Sequence, residues 1–123
     1  MNAMAEYSIF LPNGLLFVRD SKSLDDPYID GKASFWSTET VLAIACRYDG
    51  DGPTRIVIDQ EAANGKELSL LVSVDLFIPS RRVLFELVPH EPFHELAWER
   101  DRIRVDVWTE GIQETPVVWL RIQ

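Results

Sequence analysis

The sequence predicts an all-β chain, a two-layer antiparallel β-sandwich of about eight or nine strands with room for one short helix. Three observations predict it. Apolar residues alternate with polar ones at period two far more often than at the helical period. The alternating runs are short, rich in β-branched and aromatic residues, and bounded by Gly, Pro, Asn and Asp. Each run offers one good apolar face, so a second sheet has to cover it.

Taken in order, strands are expected at residues 7–10 and 15–19, separated by Pro12-Asn13-Gly14, whose tolerance of positive φ predicts a tight hairpin. A polar segment, 20–31, precedes strands at 33–37 and 40–48; a stretch of that length without regular structure is more often functional than a short turn is. Asp49-Gly50-Asp51-Gly52-Pro53 predicts a second hairpin into strand 54–59. Asn64-Gly65 turns the chain into its longest run, 68–78, where Leu68, Leu70, Val72, Val74, Leu76 and Ile78 are expected to enter the core. Leu71 and Phe77 on the odd face predict that part of that face is covered too. Pro79-Ser80 ends the run and strand 82–88 follows. In the irregular segment 89–101, Pro92 suits a first helical position and Phe93, Leu96 and Ala97 have helical spacing, so the short helix is expected there. Strand 102–109 places Ile103, Val105 and Val107 on one face and Arg104, Asp106 and Trp108 on the other, and Glu110-Gly111 leads into strand 116–122. Residues 1–123 read as one sandwich domain without internal repeats.

A chain of 123 residues buries roughly two-thirds of its unfolded surface, so its core needs no disulfide or metal. Twenty acidic residues against twelve basic ones give a net charge of -8, half of it in residues 1–66. Such a protein is repelled by nucleic acid and by anionic membranes, and its electrostatic partner should be a basic protein. The single cysteine, Cys46, cannot form an internal disulfide; it shares a strand face with Leu42 and Ile44, where a buried, inert thiol is expected. With no signal-peptide pattern at the N-terminus, a cytoplasmic setting is expected.

His90-Glu91-Pro92-Phe93-His94 satisfies the H-E-x-x-H pattern, and Glu114 lies 20 residues beyond His94. The zinc chemistry needs both histidines one helical turn apart, and Pro92 strains that turn, so two loop histidines are the better reading and a zinc-dependent hydrolase the remote one. Asp49-Gly50-Asp51-Gly52 resembles the start of a calcium loop, but position 53 is proline and position 60 is Gln60 where a glutamate ligand is needed. No nucleophile elbow, phosphate loop or dinucleotide fingerprint is present. Neither a catalytic residue nor a cofactor is therefore assigned.

Acidic residues crowd the turns and irregular segments: Asp25, Asp26 and Asp30; Asp49 and Asp51; Glu91, Glu95, Glu99 and Asp101. If those segments meet at one end of the sandwich they form an acidic rim for a basic partner, with Trp108 beside it. Plain solvation is the bland alternative. A binding site for a small ligand or carbohydrate on exposed Trp36 or Trp108 is the competing function, and burial of Trp108 beneath segment 89–101 its structural counterpart. Edge strands leave a homodimer open.

The order of segments Leu16-Phe17-Val18-Arg19-Asp20-Ser21, Gly31-Lys32-Ala33-Ser34-Phe35-Trp36, Ser80-Arg81-Arg82-Val83-Leu84-Phe85-Glu86-Leu87 and Val107-Trp108-Thr109 resembles the competence protein J family. The resemblance implies a small cytoplasmic β-sandwich, and the founding member inhibits the DNA-entry nuclease of a competent bacterium. Segment 89–101 is longer here than in the family, and no residue's role is carried over. Charge and resemblance converge on a non-enzymatic acidic protein of the nuclease-inhibitor or immunity type.

Overall fold

In the computed structural model, residues 4–64, 67–111 and 114–123 are described. They form ten strands: β1 (Ala5–Ile9), β2 (Leu15–Asp20), β3 (Phe35–Ser37), β4 (Val41–Ala45), β5 (Thr54–Asp59), β6 (Ser69–Phe77), β7 (Arg82–Val88), β8 (Glu91–Ala97), β9 (Arg102–Thr109) and β10 (Val117–Ile122). Two five-stranded sheets face each other, one ordered β1-β5-β10-β9-β6 and the other β3-β4-β2-β7-β8. The all-β sandwich is as the alternation predicts, and each of the nine expected strands forms. The Asn64-Gly65 turn falls partly outside the described residues.

Four local expectations are corrected. Segment 89–101 holds no helix; it holds β8, which pairs antiparallel with β7 through two register shifts, at Phe85/Glu86 and Glu86/Val88. Those irregularities accommodate Pro92 on an edge strand, where a missing N–H costs no ladder bond. The two turns expected to make hairpins carry the chain between sheets instead: Pro12–Gly14 and Asp49–Asp51 are short 3-10 turns linking β1 to β2 and β4 to β5. The positive φ predicted from Asn-Gly is present, at Asn13 (58°) and Gly14 (64°), but local turn chemistry does not say which sheet the next strand joins. One pair is parallel, β5 with β10, so the first sheet is mixed. Leu70 is 54% exposed because a bulge at Leu71 slips the register between Leu70 and Val72 and turns Leu70 outward beside Trp108.

The core between the sheets is built from the inward faces: Leu16 and Val18 of β2, Leu42 and Ile44 of β4, Ile56 and Ile58 of β5, Leu76 of β6, Val83 and Phe85 of β7, the β9 triplet Ile103, Val105 and Val107, and Val118, Leu120 and Ile122 of β10. Cys46 packs within it, as its strand face predicts. The outer face of the β2-containing sheet is also covered. Segment 21–34 crosses it and packs Ile29 on Phe17, Val41 and Ala43, with Leu15 and Trp36 alongside. Beneath that segment lies a buried ion pair, Arg19 Nε donating to Glu86 Oε1; Arg19 Nη1 donates to the Ser23 carbonyl and Nη2 lies against Asp26. Among the described residues no helix is long and apolar enough to cross a membrane.

Candidate protein-interaction face

The inter-sheet crossings sort the turns into two ends. At one end the backbone ties the Pro12–Gly14 turn, the Asp49–Asp51 turn and the β9–β10 connection together: Cys46 N–H donates to the Gly14 carbonyl (2.7 Å), Arg47 N–H to Thr115 (3.0 Å) and Arg55 N–H to Pro116 (2.8 Å). At the other end Phe77 N–H donates to the Glu39 carbonyl (2.8 Å), Ser21 N–H to Arg82 (3.0 Å) and Trp98 N–H to Arg81 (2.9 Å). Asp20 fastens that second end by accepting both the N–H and the hydroxyl of Ser80.

The acidic residues singled out by sequence divide between these ends instead of forming one rim. Asp30, Asp49 and Asp51 lie at the first end, all exposed, with Glu91 at its far edge where β8 begins. Asp25, Asp26, Glu95, Glu99 and Asp101 lie toward the second, among arginines: Asp26 touches Arg19, and Glu95 accepts from Arg82 at 2.8 Å. That second end also carries exposed Lys22, Arg81, Arg100, Arg102 and Arg104, the last paired with Asp75 at 3.0 Å. The first end gains exposed Glu67, Glu110 and Glu114, none of which the sequence pattern places among the acidic-rim residues. Its described cations are Lys32, Arg47 and Arg55, and Arg55 is held by Glu6 at 2.8 Å. Exposed carboxylates, Glu39 and Asp75 included, are thus about as frequent at the second end; the cations are what differ, and their gathering there leaves the first end the more anionic of the two.

Two exposed aromatics sit at this end, Phe10 (60% exposed) before the first 3-10 turn and Tyr48 (51%) before the second, acidic one. Tyr48 directly precedes its turn, whereas Phe10 is followed by buried Leu11; an aromatic within two residues of a turn is the signal in the sequence that could have found them. Between the turns and segment 29–33 opens a cavity of about 310 Å³. Asp30 borders it in a fixed pose, its Oδ1 accepting the Trp36 indole N–H (3.0 Å) and the Lys32 backbone N–H (2.9 Å). Those two donors, the backbone one first, hold its carboxyl below the usual aspartate range, so it stays ionised.

Trp108 points outward on the first sheet, half-buried, with Leu70 and Trp119 as its cross-strand neighbours. Segment 89–101 does not cover it, because that segment is an edge of the opposite sheet. The indole N–H of Trp36 is committed to Asp30, and that of Trp119, the neighbour of Trp108, to the Glu61 carbonyl at 2.9 Å. The H-E-x-x-H residues lack the helix their chemistry needs. His90 sits in the β7–β8 turn at φ 72°, whereas His94 faces inward on β8, its Nδ1 2.8 Å from the Tyr7 hydroxyl and its ring against Phe85. Among the described residues no group of three His, Cys, Asp or Glu side chains converges as a metal site. Asp49-Gly50-Asp51 forms the inter-sheet 3-10 turn, not a ligand loop.

No family model matches the chain, and no curated protein matches it in sequence. Solved structures do. One is ComJ from Bacillus subtilis, described as the inhibitor of the DNA degrading activity of NucA: 9% identity, TM-score 0.60, covering 97% of this chain and 94% of that one. A second, the crocagin biosynthetic gene J product, has 16% identity and a TM-score of 0.47 over 95% of this chain and 97% of that one. The resemblance visible in the strand patterns thus has a three-dimensional counterpart, and it is a likeness of fold.

Proposed function

We propose that this chain is a non-enzymatic inhibitor-type protein that binds a basic protein, such as a nuclease, through its acidic end. The observation that carries the reading is the cation-poor first end: Asp30, Asp49, Asp51, Glu110 and Glu114 share it with exposed Phe10 and Tyr48, and its turns are locked to one another by backbone hydrogen bonds. A nuclease presents a cationic surface to the phosphates of DNA, and carboxylates on a rigid platform can occupy it in their place. Charge of this kind steers association, and the two aromatics supply the apolar contact from which binding energy mostly comes. The shared fold with ComJ, whose stated activity is inhibition of a nuclease, supports the same reading. A cytoplasmic setting suits the buried, unpaired thiol of Cys46.

The test is titration of the protein into DNA-degradation reactions of basic nucleases encoded in the same genome. Saturable inhibition that weakens with salt is expected. Reversing two acidic-end charges, Asp49→Lys/Asp51→Lys, should weaken it by about tenfold or more, whereas Glu99→Lys at the other end should leave it unchanged. Failure to inhibit any such nuclease, together with no retention of basic proteins on the immobilised chain at low salt, would overturn the proposal.

A further inference from the structure

From the cavity at the acidic end we infer a receptor for one cationic side chain of the partner, an arginine. The inference rests on the proposed basic-protein partner and adds to it a specific point of attachment. The floor is apolar, made by Leu15, Ile29 and Ala45, while Trp36 and Tyr48 supply aromatic surface and Glu114 is the one charged residue of the lining. An arginine suits each part: its methylene stem lies along apolar surface, its planar guanidinium stacks on aromatic faces, and its head pairs with carboxylate. A volume of about 310 Å³ is at the small end for ligand pockets and matches a side chain better than a drug-sized molecule. The anionic character is not confined to Glu114. Asp30 is fixed at the Trp36 edge by two hydrogen bonds, and Asp49 follows Tyr48 directly in the turn.

The cavity is also preorganised, which distinguishes it from a chance surface depression. Gly14 at its margin is packed so closely on the Cys46 carbonyl that a Cβ there would lie 2.6 Å from the oxygen, and Cys46 N–H bonds back to the Gly14 carbonyl. Ile29 is anchored on Phe17, Val41 and Ala43. An arriving side chain therefore meets walls that need little ordering, and the cost of forming the complex falls accordingly.

N-acetyl-arginine amide serves as probe, with its citrulline counterpart as the neutral isostere, followed by NMR of the Trp36 indole N–H and the backbone amides of Ala33, Ala45 and Tyr48. Saturable shifts confined to this group are expected with the arginine probe and absent with citrulline. Glu114→Gln should weaken binding several-fold, and Ala33→Trp, which fills the cavity without changing charge, should abolish it. Equal shifts with citrulline, shifts scattered over the whole surface, or indifference to both substitutions would overturn the inference. If the pocket ignores the probe while Asp49→Lys/Asp51→Lys still abolishes capture of a basic protein, the arginine receptor is wrong and the acidic-face function stands. If the capture is absent from the outset, the function itself has failed.

Discussion

Removing one member of the Arg19–Glu86 pair measures how strongly this sandwich depends on charge placed beneath segment 21–34. Both side chains are 1% exposed, Arg19 Nε donates to Glu86 Oε1, and Glu86 Oε2 accepts the His90 backbone N–H at 3.2 Å. Glu86→Leu strands a guanidinium whose other supports are the Ser23 carbonyl and Asp26, the latter 37% exposed and so screened by water. Arg19→Met strands the carboxylate with one backbone donor. Breaking a buried pair from either side costs about 3–5 kcal/mol, because the desolvated partner keeps its charge. With a urea dependence of roughly 1–3 kcal/mol per molar for a domain of this size, the unfolding midpoint should fall by about 2 M in each single variant. The double variant Arg19→Met/Glu86→Leu removes both charges and should be no less stable than either single one, a coupling of about 3 kcal/mol in the cycle. Asp26→Asn, at the exposed corner of the cluster, should cost about 1 kcal/mol or less. Single substitutions costing under about 1 kcal/mol, with an additive double variant, would refute the reasoning and show the cluster to be solvated.

Three further expectations concern the same framework. Gly14→Ala combines a positive φ with a Cβ 2.6 Å from a backbone oxygen, whereas Gly31→Ala meets only the strained φ of +74° in open space; thermal melts should show a loss of about 1 kcal/mol for Gly31→Ala and at least about twice that for Gly14→Ala. Burial lowers the His94 pKa below its ordinary 6.5, so the unfolded chain takes up the proton first as pH falls. The contribution of neutral His94 should accordingly be complete above pH 6.5 and be lost as pH drops through its lower folded value; urea midpoints of the wild type and His94→Gln across that range should converge on acidification. Burial pushes the Cys46 thiol well above its usual range, so a thiol reagent should leave the native protein unmodified and react stoichiometrically in denaturant.

Strand positions were legible because most of them obey one rule: Ile103, Val105 and Val107 alternate into the core, and the polar residues between them face outward. Where a bulge breaks that period, sequence reasoning fails in a predictable direction. Leu70 keeps the even parity of Val72 and Val74 yet faces solvent, since the extra residue at Leu71 inverts the face. In β8 the inward pair is His94 and Leu96, opposite Phe85 and Val83, while the register shift near Pro92 adds half-buried Phe93; that spacing imitates a helix. The buried Arg19–Glu86 pair was hidden for a different reason. Each charge interrupts an outer face that is otherwise largely apolar, Leu15 and Phe17 beside Arg19 and Leu84 and Val88 beside Glu86, and only the return of segment 21–34 over that face buries the pair. The acidic residues were legible as a composition, but their grouping was not, because turn chemistry predicts a reversal without predicting which sheet receives the next strand.

That last point bears on function. Had Pro12–Gly14 and Asp49–Asp51 closed ordinary hairpins, each would have belonged to one sheet, and Asp49 and Asp51 to one layer. As crossings, they are lashed to each other and to the β9–β10 connection, so Asp49 and Asp51 share one rigid end with Glu110 and Glu114 although the Pro12–Gly14 turn itself carries no charge. Segment 21–34 joins the two ends: it is clamped by Arg19 against Asp26 near the arginine-rich end, and it delivers Ile29 and Asp30 to the acidic one. Loosening the clamp should therefore weaken partner binding as well as stability, although Arg19 itself is buried and touches no partner. Asp26→Asn separates the two effects, because its small stability cost leaves the protein folded while the segment that carries Asp30 loses its charged tether and keeps those of Ser23 to Arg19 and Asp25 to Thr38.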